Sequence, residues 1–231
     1  MPGICIGQGE SVWRDLPTDV YPIAPERPPG HGRMRLPVHK GGTHRQGEES
    51  MLTEFQRRKV DRSFRHFDVN ADGFIDVRDG GKLAQAYING LGPTDPFVQL
   101  AVHERVEIYY RQLARGLDAD KDGRISPAEF REVFAHAIVA PADGFGRYLQ
   151  PLVDVVFTCC DDDGDGRIDR REFLSLQKLL GTTEVAAEQA FRRLDSDGDG
   201  RISREEFAAA ARDYYTGDDP EGPGTALFGE V

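Results

Sequence analysis

The chain of 231 residues (25.7 kDa) has room for one or two domains, and its 29 basic and 40 acidic residues give a net charge of −11. A sequence pI near 5.0 argues against nucleic-acid binding, which needs a basic surface, and no apolar run reaches the roughly 18–20 residues that cross a bilayer. Four twelve-residue windows hold 19 of the acidic and 8 of the basic residues and so carry the whole net charge, which indicates cation sites.

Residues 1–50 form a leader with 7 of the 14 prolines. A segment of this composition buries too little apolar surface to offset the entropy of ordering, so it is predicted to be disordered. Its three histidines, His31, His39 and His44, lack the spacing of zinc ligands and are not predicted to bind metal. The start has no signal-peptide features and no glycine for myristoylation, so a cytoplasmic location is expected. Met51 directly precedes the first periodic helix, so the leader is either an over-extended start or a dispensable extension.

The four acidic windows, residues 68–79, 118–129, 161–172 and 195–206, share one pattern. Each has an acid at position 1, Asp or Asn at 3, Asp at 5, Gly at 6, Ile at 8 and an acid at 12, as in an EF-hand calcium loop. Calcium takes about six to eight oxygen ligands, here with a backbone carbonyl at position 7 and a water-mediated contact at position 9. The predicted ligands at positions 1, 3, 5, 7, 9 and 12 are Asp68, Asn70, Asp72, Phe74, Asp76 and Asp79; Asp118, Asp120, Asp122, Arg124, Ser126 and Glu129; Asp161, Asp163, Asp165, Arg167, Asp169 and Glu172; and Asp195, Asp197, Asp199, Arg201, Ser203 and Glu206.

The residues before each loop are apolar at one helical face. This face recurs eight, four and one residues before the first, third and fourth loops and nine, five and one residues before the second, and it indicates an entering helix. Its residues are Val60, Phe64 and Phe67; Tyr109, Leu113 and Leu117; Val153, Phe157 and Cys160; and Ala187, Phe191 and Leu194. Phe130, Phe173 and Phe207 open the exiting helices after the last three loops. The first loop is followed by Gly80 and Gly81, so its exiting helix is predicted to begin weakly or late.

EF-hands bury their apolar faces in pairs, which groups the first loop with the second and the third with the fourth. The position-8 residues Ile75, Ile125, Ile168 and Ile202 are expected to form short β-bridges between paired loops. We predict an N-terminal pair at 51–141, a C-terminal pair at 142–215 and a tail at 216–231. An exit helix is expected near 82–91, a turn at 92–96 and a long entry helix at about 97–117. The long helix has more apolar residues than one face requires, which predicts an all-α fold with both pairs in one compact body.

From about residue 52 the sequence resembles the sarcoplasmic calcium-binding protein family, most closely its bacterial calerythrin branch. The resemblance is carried by the segment 145–153, by Cys160 beside the third loop, by the segment 211–215 and by Asp79 closing the first loop. It implies a compact cytosolic four-EF-hand buffer or transport protein without enzymatic activity. Relatives often have a degenerate second loop and three working calcium sites. The loop 118–129 has a full ligand set, so this chain is expected to have more than three sites.

Calcium buffering is the first functional interpretation, with a monomer expected. Sensor EF-hands expose methionine-lined grooves, but the three methionines, Met1, Met34 and Met51, all precede the EF-hand body. The alternative is a calcium sensor that regulates a protein partner. An enzyme is not predicted, because no H-E-x-x-H, G-x-S-x-G or phosphate-loop motif occurs. Cys159 and Cys160 are adjacent and are expected to be buried rather than redox-active.

Two further expectations concern the first loop and the tail. Asp79 is one methylene shorter than Glu, so the loop must contract to reach an ion with both oxygens, which favours Mg²⁺ or weak Ca²⁺ binding. In the tail, Leu227 and Phe228 either fold back into the body as an internal plug or belong to a frayed terminus.

Overall fold

A computed structural model describes residues 52–93 and 96–228, so the leader and its predicted features lie outside the described residues. The described ranges contain nine α-helices and a two-stranded antiparallel sheet. The helices are α1 (Glu54–Phe67), α2 (Val77–Leu91), α3 (Pro96–Leu117), α4 (Pro127–Val133), α5 (Gly144–Tyr148), α6 (Gln150–Cys160), α7 (Arg170–Leu179), α8 (Glu184–Leu194) and α9 (Arg204–Thr216). The strands are β1 (Arg167–Asp169) and β2 (Arg201–Ser203), and a π-helical segment (Phe134–Val139) follows α4. In the described part of the chain, no helix is both long enough and apolar enough to span a membrane.

The helices that leave the loops begin with the same local device. Position 9 of each loop caps the exiting helix, and the carboxylate of position 12 accepts a hydrogen bond from the backbone N–H of position 9, which completes a capping box. The four pairs are Asp76 with Asp79, Ser126 with Glu129, Asp169 with Glu172, and Ser203 with Glu206. The loop sequence therefore fixes where each exiting helix starts.

This device corrects one expectation. The first exiting helix was predicted to begin weakly or late because of Gly80 and Gly81, but α2 begins at Val77 with an intact capping box. Gly80 has a packing role instead, because a Cβ built there would lie 3.0 Å from the ring of Tyr110. The glycine lets α3 approach α2 closely, and the cap offsets its low helix propensity.

The loops pair as predicted. Ile75 and Ile125 exchange backbone hydrogen bonds of 3.0 and 2.9 Å, which join the first loop to the second. In the other pair, β1 and β2 run antiparallel with Ile168 opposite Ile202. All four isoleucines are at most 1% exposed, so each bridge is also part of the core.

The two pairs share one apolar core, which confirms the compact all-α body. All twelve residues of the predicted entering faces are buried, as are Phe130, Phe173 and Phe207. Aromatic rings continue the core across the halves, since Phe134 after the second loop lies 5.9 Å from Tyr215 in α9. Cys159 is buried with its neighbour Cys160, both as free thiols, and burial raises the pKa of the Cys159 thiol to about 12. Such a thiol is inert, as the packing interpretation expected.

Side chains of α1 also hydrogen-bond to the C-terminal end of α9. Lys59 is 2% exposed and donates from Nζ to the carbonyl of Gly217 at 2.6 Å, while Gln56 donates to the carbonyl of Thr216 at 3.2 Å. These carbonyls are among those that an α-helix leaves unpaired at its C-terminus. Burial lowers the pKa of Lys59, and the nearby charges of Asp213 and Asp218 oppose that shift. α1 therefore ties the N-terminal pair to the end of the C-terminal pair.

The tail folds back into the body, as the plug hypothesis required. Leu227 is fully buried and Phe228 is 6% exposed, with the Phe228 ring 5.0 Å from that of Tyr214 and 5.6 Å from that of Tyr215. Gln177 in α7 donates to the Leu227 carbonyl at 2.7 Å, which anchors the tail to the C-terminal pair. The described tail is thus a part of the core rather than a frayed end.

We expect Phe228→Ala to lower the free energy of unfolding by about 3 kcal/mol, because it removes a buried ring from an aromatic cluster. It should also raise the fluorescence of an apolar-surface dye. Phe97→Ala is the matched control, since Phe97 is 79% exposed and its loss should change stability by less than about 0.5 kcal/mol. Chemical denaturation of both variants checks the difference. Equal stability of the two variants would show that the tail does not seal the core.

Candidate metal centres

The predicted ligands come together in the loops. Within the described ranges, oxygens from three carboxylates lie within 4.8 Å of one another in each of the last three loops. These groups are Asp118, Asp120 and Glu129; Asp161, Asp163 and Glu172; and Asp195, Asp197 and Asp199. The first loop has no such group of three, and its position 3 is Asn70 rather than Asp.

The loop backbones curl around these side chains through one repeated set of hydrogen bonds. The position-6 glycine has a positive φ of 83–87° in every loop and donates its N–H to the position-1 carboxylate at 2.9–3.0 Å. Position 3 accepts from the N–H of position 5, and position 5 accepts from the N–H of position 7. These hydrogen bonds therefore hold the side chains of positions 1, 3 and 5 on the inner side of the turn without the help of an ion.

Position 12 closes each loop by bridging its two ends. In the last three loops the Glu accepts from the N–H of position 2 with one oxygen and from that of position 9 with the other, at 2.8–3.0 Å. The shorter Asp79 accepts from the N–H of Asn70 at position 3, at 3.1 Å, and from that of Asp76 at 2.9 Å. The missing methylene thus moves the contact one residue along the loop.

In the third and fourth loops, one oxygen of the position-1 carboxylate has no hydrogen-bond donor from the protein. Oδ1 of Asp161 and Oδ1 of Asp195 are buried and have no hydrogen-bond partner. A buried carboxylate oxygen without a donor is costly, and a cation is the group that satisfies it. Burial also raises the pKa of Asp161 and of Glu172. The donor set is all oxygen and strongly anionic, so the third and fourth loops fit a hard divalent cation.

The first two loops differ from the last two at position 1. Asp68 Oδ1 accepts from the N–H of Asp72 at 3.1 Å, and Asp118 Oδ1 accepts from the N–H of Lys121 at 2.7 Å. Position 4 is in the left-handed region in both loops, at Ala71 (φ 57°) and Lys121 (φ 65°), where the last two loops have glycine. A side chain at such a φ costs free energy that glycine does not.

Arg78 makes the first loop different again. Its guanidinium contacts the carboxylate of Asp76 through two nitrogens, and it reaches Asp72 Oδ2 at 3.3 Å. The hydrogen bonds to Arg78 are the largest cause of the lowered pKa of Asp76. Two predicted ligands of this loop are therefore already paired with a positive side chain.

Sequence reasoning missed the role of the arginine side chains. Position 7 was considered only for its backbone carbonyl, yet Arg167 contacts Asp199 of the fourth loop and Arg201 contacts Asp165 of the third. Arginine at position 7 in three of four loops of an acidic chain was the available signal. The side chains of position 9 also cap the exiting helices, and their water-mediated contact with an ion stays a prediction.

The acid at position 12 of the fourth loop is the most strongly perturbed of the four. Burial alone would raise the pKa of Glu206, but hydrogen bonds from Ser203 and Ser196 lower it to about 2. The carboxylate stays charged across the physiological range. Both of its oxygens already accept hydrogen bonds, Oε1 from Ser196 and Oε2 from Ser203.

Comparison with known proteins covers all four loops. A model of the EF-hand domain pair matches residues 111–178 and 156–212, and a model of the EF hand matches residues 60–79. Calerythrin from Saccharopolyspora erythraea is 25% identical over 169 residues, which make up 72% of this chain and 96% of calerythrin.

Two solved structures of calcium-binding proteins are also similar to this chain. A calcium-binding protein from Streptomyces coelicolor, described in connection with prokaryotic calcium-mediated regulation, is 28% identical with a TM-score of 0.59, covering 71% of this chain and 99% of that protein. A sarcoplasmic calcium-binding protein from amphioxus shares the fold with a TM-score of 0.66 at 21% identity, covering 78% of this chain and 99% of that protein.

Proposed function

Since the chain belongs to the sarcoplasmic calcium-binding protein family, in its calerythrin-like branch, and binds calcium through its EF-hands, we propose that it is a cytoplasmic calcium buffer or transport protein without catalytic activity. The observation that carries this proposal is the sealed core. Both pairs bury their apolar faces in one cluster, which also includes Leu227 and Phe228 of the tail. A buffer takes up ions without opening a groove, and this architecture leaves little apolar surface for one.

We propose that the chain holds up to four ions, one in each loop. The side chains at positions 1, 3, 5 and 12 and the carbonyl at position 7 would supply the oxygens, with position 9 acting through a water, as predicted from the sequence. The third and fourth loops are the strongest candidates because each has a buried position-1 oxygen without a protein donor. When bound, a divalent cation supplies the positive charge that the acidic loops lack.

The first loop is proposed to bind Mg²⁺ or to bind Ca²⁺ weakly. Its support is the short Asp79 and the pairing of Arg78 with two predicted ligands. Mg²⁺ needs fewer ligands than Ca²⁺ and keeps several waters, so it tolerates a site with a short closing acid.

Asp79→Glu should tighten calcium binding at the first loop by about tenfold, because the longer acid can reach position 2 as Glu does in the other loops. Titration calorimetry in millimolar Mg²⁺ measures the change. Asp61→Glu serves as the control, since Asp61 is outside the loops and pairs with Arg131. No tightening in Asp79→Glu would refute the explanation based on side-chain length.

The second candidate function is a calcium sensor that regulates a protein partner. It is favoured by the Streptomyces coelicolor relative, whose description names calcium-mediated regulation. A sensor must change its exposed surface when calcium binds, because a partner recognises only a state that differs from the ion-free one.

A dye titration separates the two functions. For a buffer, adding calcium to chelator-treated protein should leave or lower the fluorescence of an apolar-surface dye, as the core tightens. A several-fold rise in dye fluorescence at saturating calcium would contradict the buffer and support the sensor. Phe228→Ala serves as the positive control, because loss of the Phe228 ring is expected to expose the apolar core even without calcium.

A further inference from the structure

The third and fourth loops are joined by two ion pairs that cross between them. Arg167, at position 7 of the third loop, contacts Asp199 at position 5 of the fourth. Arg201, at position 7 of the fourth, contacts Asp165 at position 5 of the third. The antiparallel bridge at Ile168 and Ile202 relates the two loops symmetrically, because it sets Arg167 opposite Ser203 and Arg201 opposite Asp169.

The first pair of loops lacks this arrangement. Position 7 of the first loop is Phe74, which carries no charge, and Arg124 of the second loop lies over the Phe74 ring at 4.2 Å. Arg124 also pairs with Asp122 of its own loop at 3.5 Å. Both pairs have an antiparallel bridge at position 8, an isolated one in the first pair and a three-residue ladder in the second. The crossing also requires an arginine at position 7 of both loops, which only the second pair has.

Each crossing arginine holds a predicted calcium ligand of the opposite loop. Position 5 uses Oδ1 to accept the N–H of position 7, and the arginine takes Oδ2 of the same carboxylate. A guanidinium on a carboxylate neutralises part of its charge, and a divalent cation must then compete for the same oxygens. The side chains of both arginines are about half exposed, at 46% and 44%, so water screens the competition and keeps it modest.

We propose that Arg167 and Arg201 are tethered counter-ions acting crosswise: each lowers the calcium affinity of the loop it does not belong to and stabilises that loop when it holds no ion. The inference rests on the proposed function, since it assumes calcium binding at these two loops. It assigns to position 7 a side-chain role in setting affinity, in addition to its carbonyl.

Two effects of opposite sign follow from this role. Removing an arginine should tighten calcium at the opposite loop, because a competitor for its position-5 carboxylate is gone. The same change should lower the melting temperature of the ion-free protein, because repulsion among the loop acids is no longer offset. A residue that merely supported the loop structure would lower both affinity and stability when replaced.

The test uses the amide resonances of the position-6 glycines as separate reporters. Gly166 and Gly200 each donate to the position-1 carboxylate of their own loop, so calcium binding shifts each signal independently. For Arg167→Gln, calcium titration should show the Gly200 transition at about two- to fivefold lower calcium and the Gly166 transition nearly unchanged. Arg201→Gln should show the reverse. In chelator, both variants should melt below the parent protein.

Arg170→Gln is the matched control, because Arg170 lies in the third loop but pairs with Glu188 outside any loop. It removes the same charge without freeing a predicted ligand. Equal tightening by Arg167→Gln and Arg170→Gln, tightening mainly at the variant's own loop, or weaker binding at the opposite loop would each overturn the crosswise role. If neither glycine shifts with calcium in the parent protein, the proposed function fails, and this inference with it.

Discussion

Saturating calcium is expected to raise the melting temperature of the protein by about 20 °C over its value in chelator. A ligand that binds only the folded state stabilises it by about 2.7 kcal/mol per site at a hundredfold excess over Kd, so three such sites give about 8 kcal/mol. For a domain of this size each kcal/mol corresponds to about 2–4 °C. The structural source is the acidic loops, where buried oxygens of Asp161 and Asp195 have no partner. Differential scanning calorimetry in the two conditions measures the shift.

The control is magnesium at equal ionic strength. It should give a smaller shift, because Mg²⁺ demands a tighter octahedral site than three of these loops offer. Identical melting curves in chelator, magnesium and calcium would argue that the loops hold no ion.

Glu206→Gln is expected to weaken calcium at the fourth loop by about 100-fold or more. Loss of a supporting contact already costs a metal site about 10- to 100-fold, and this change removes the charge of a predicted ligand. The single amide oxygen of Gln also cannot accept from the N–H groups of both Ser196 and Ser203, which the two Glu206 oxygens hold at 2.8 Å. In calorimetry the number of ions bound should fall by one, with the first two loops unchanged.

Glu205→Gln is the control for this substitution. Glu205 is the neighbouring residue, carries the same charge and is exposed. Its replacement should leave the number of bound ions unchanged. If both variants behave alike, the effect is one of net charge and position 12 of the fourth loop is not a ligand.

Local patterns in the sequence predicted most of the fold. A 3.6-residue period placed Val60, Phe64 and Phe67 on one buried face, and helical spacings of three or four residues did the same before the other three loops. The pairing through Ile75 and Ile125 followed from the fixed position of isoleucine in the loop. The buried faces depend on residues close together in the chain, and the loop pairing follows from the repeat of the loop motif, so both could be predicted from the sequence.

The features that sequence reasoning missed depend on distant residues. The side-chain partners of Arg167 and Arg201 are set by the register of two strands more than thirty residues apart. The start of α2 depended on a capping box and on the close approach of Tyr110 to Gly80, whereas propensity alone suggested a weak helix. The sequence left open whether the tail is buried or frayed, because the residues that contact Leu227 and Phe228 come from α7 and α9, which are distant in the chain.

Calcium titration calorimetry in physiological magnesium counts the ions that the four loops bind. We expect three ions bound in a strong phase, by the second, third and fourth loops, with the first loop weak or occupied by magnesium. Fewer than two ions, or no saturable heat at millimolar calcium, would contradict a calcium buffer built on these four loops.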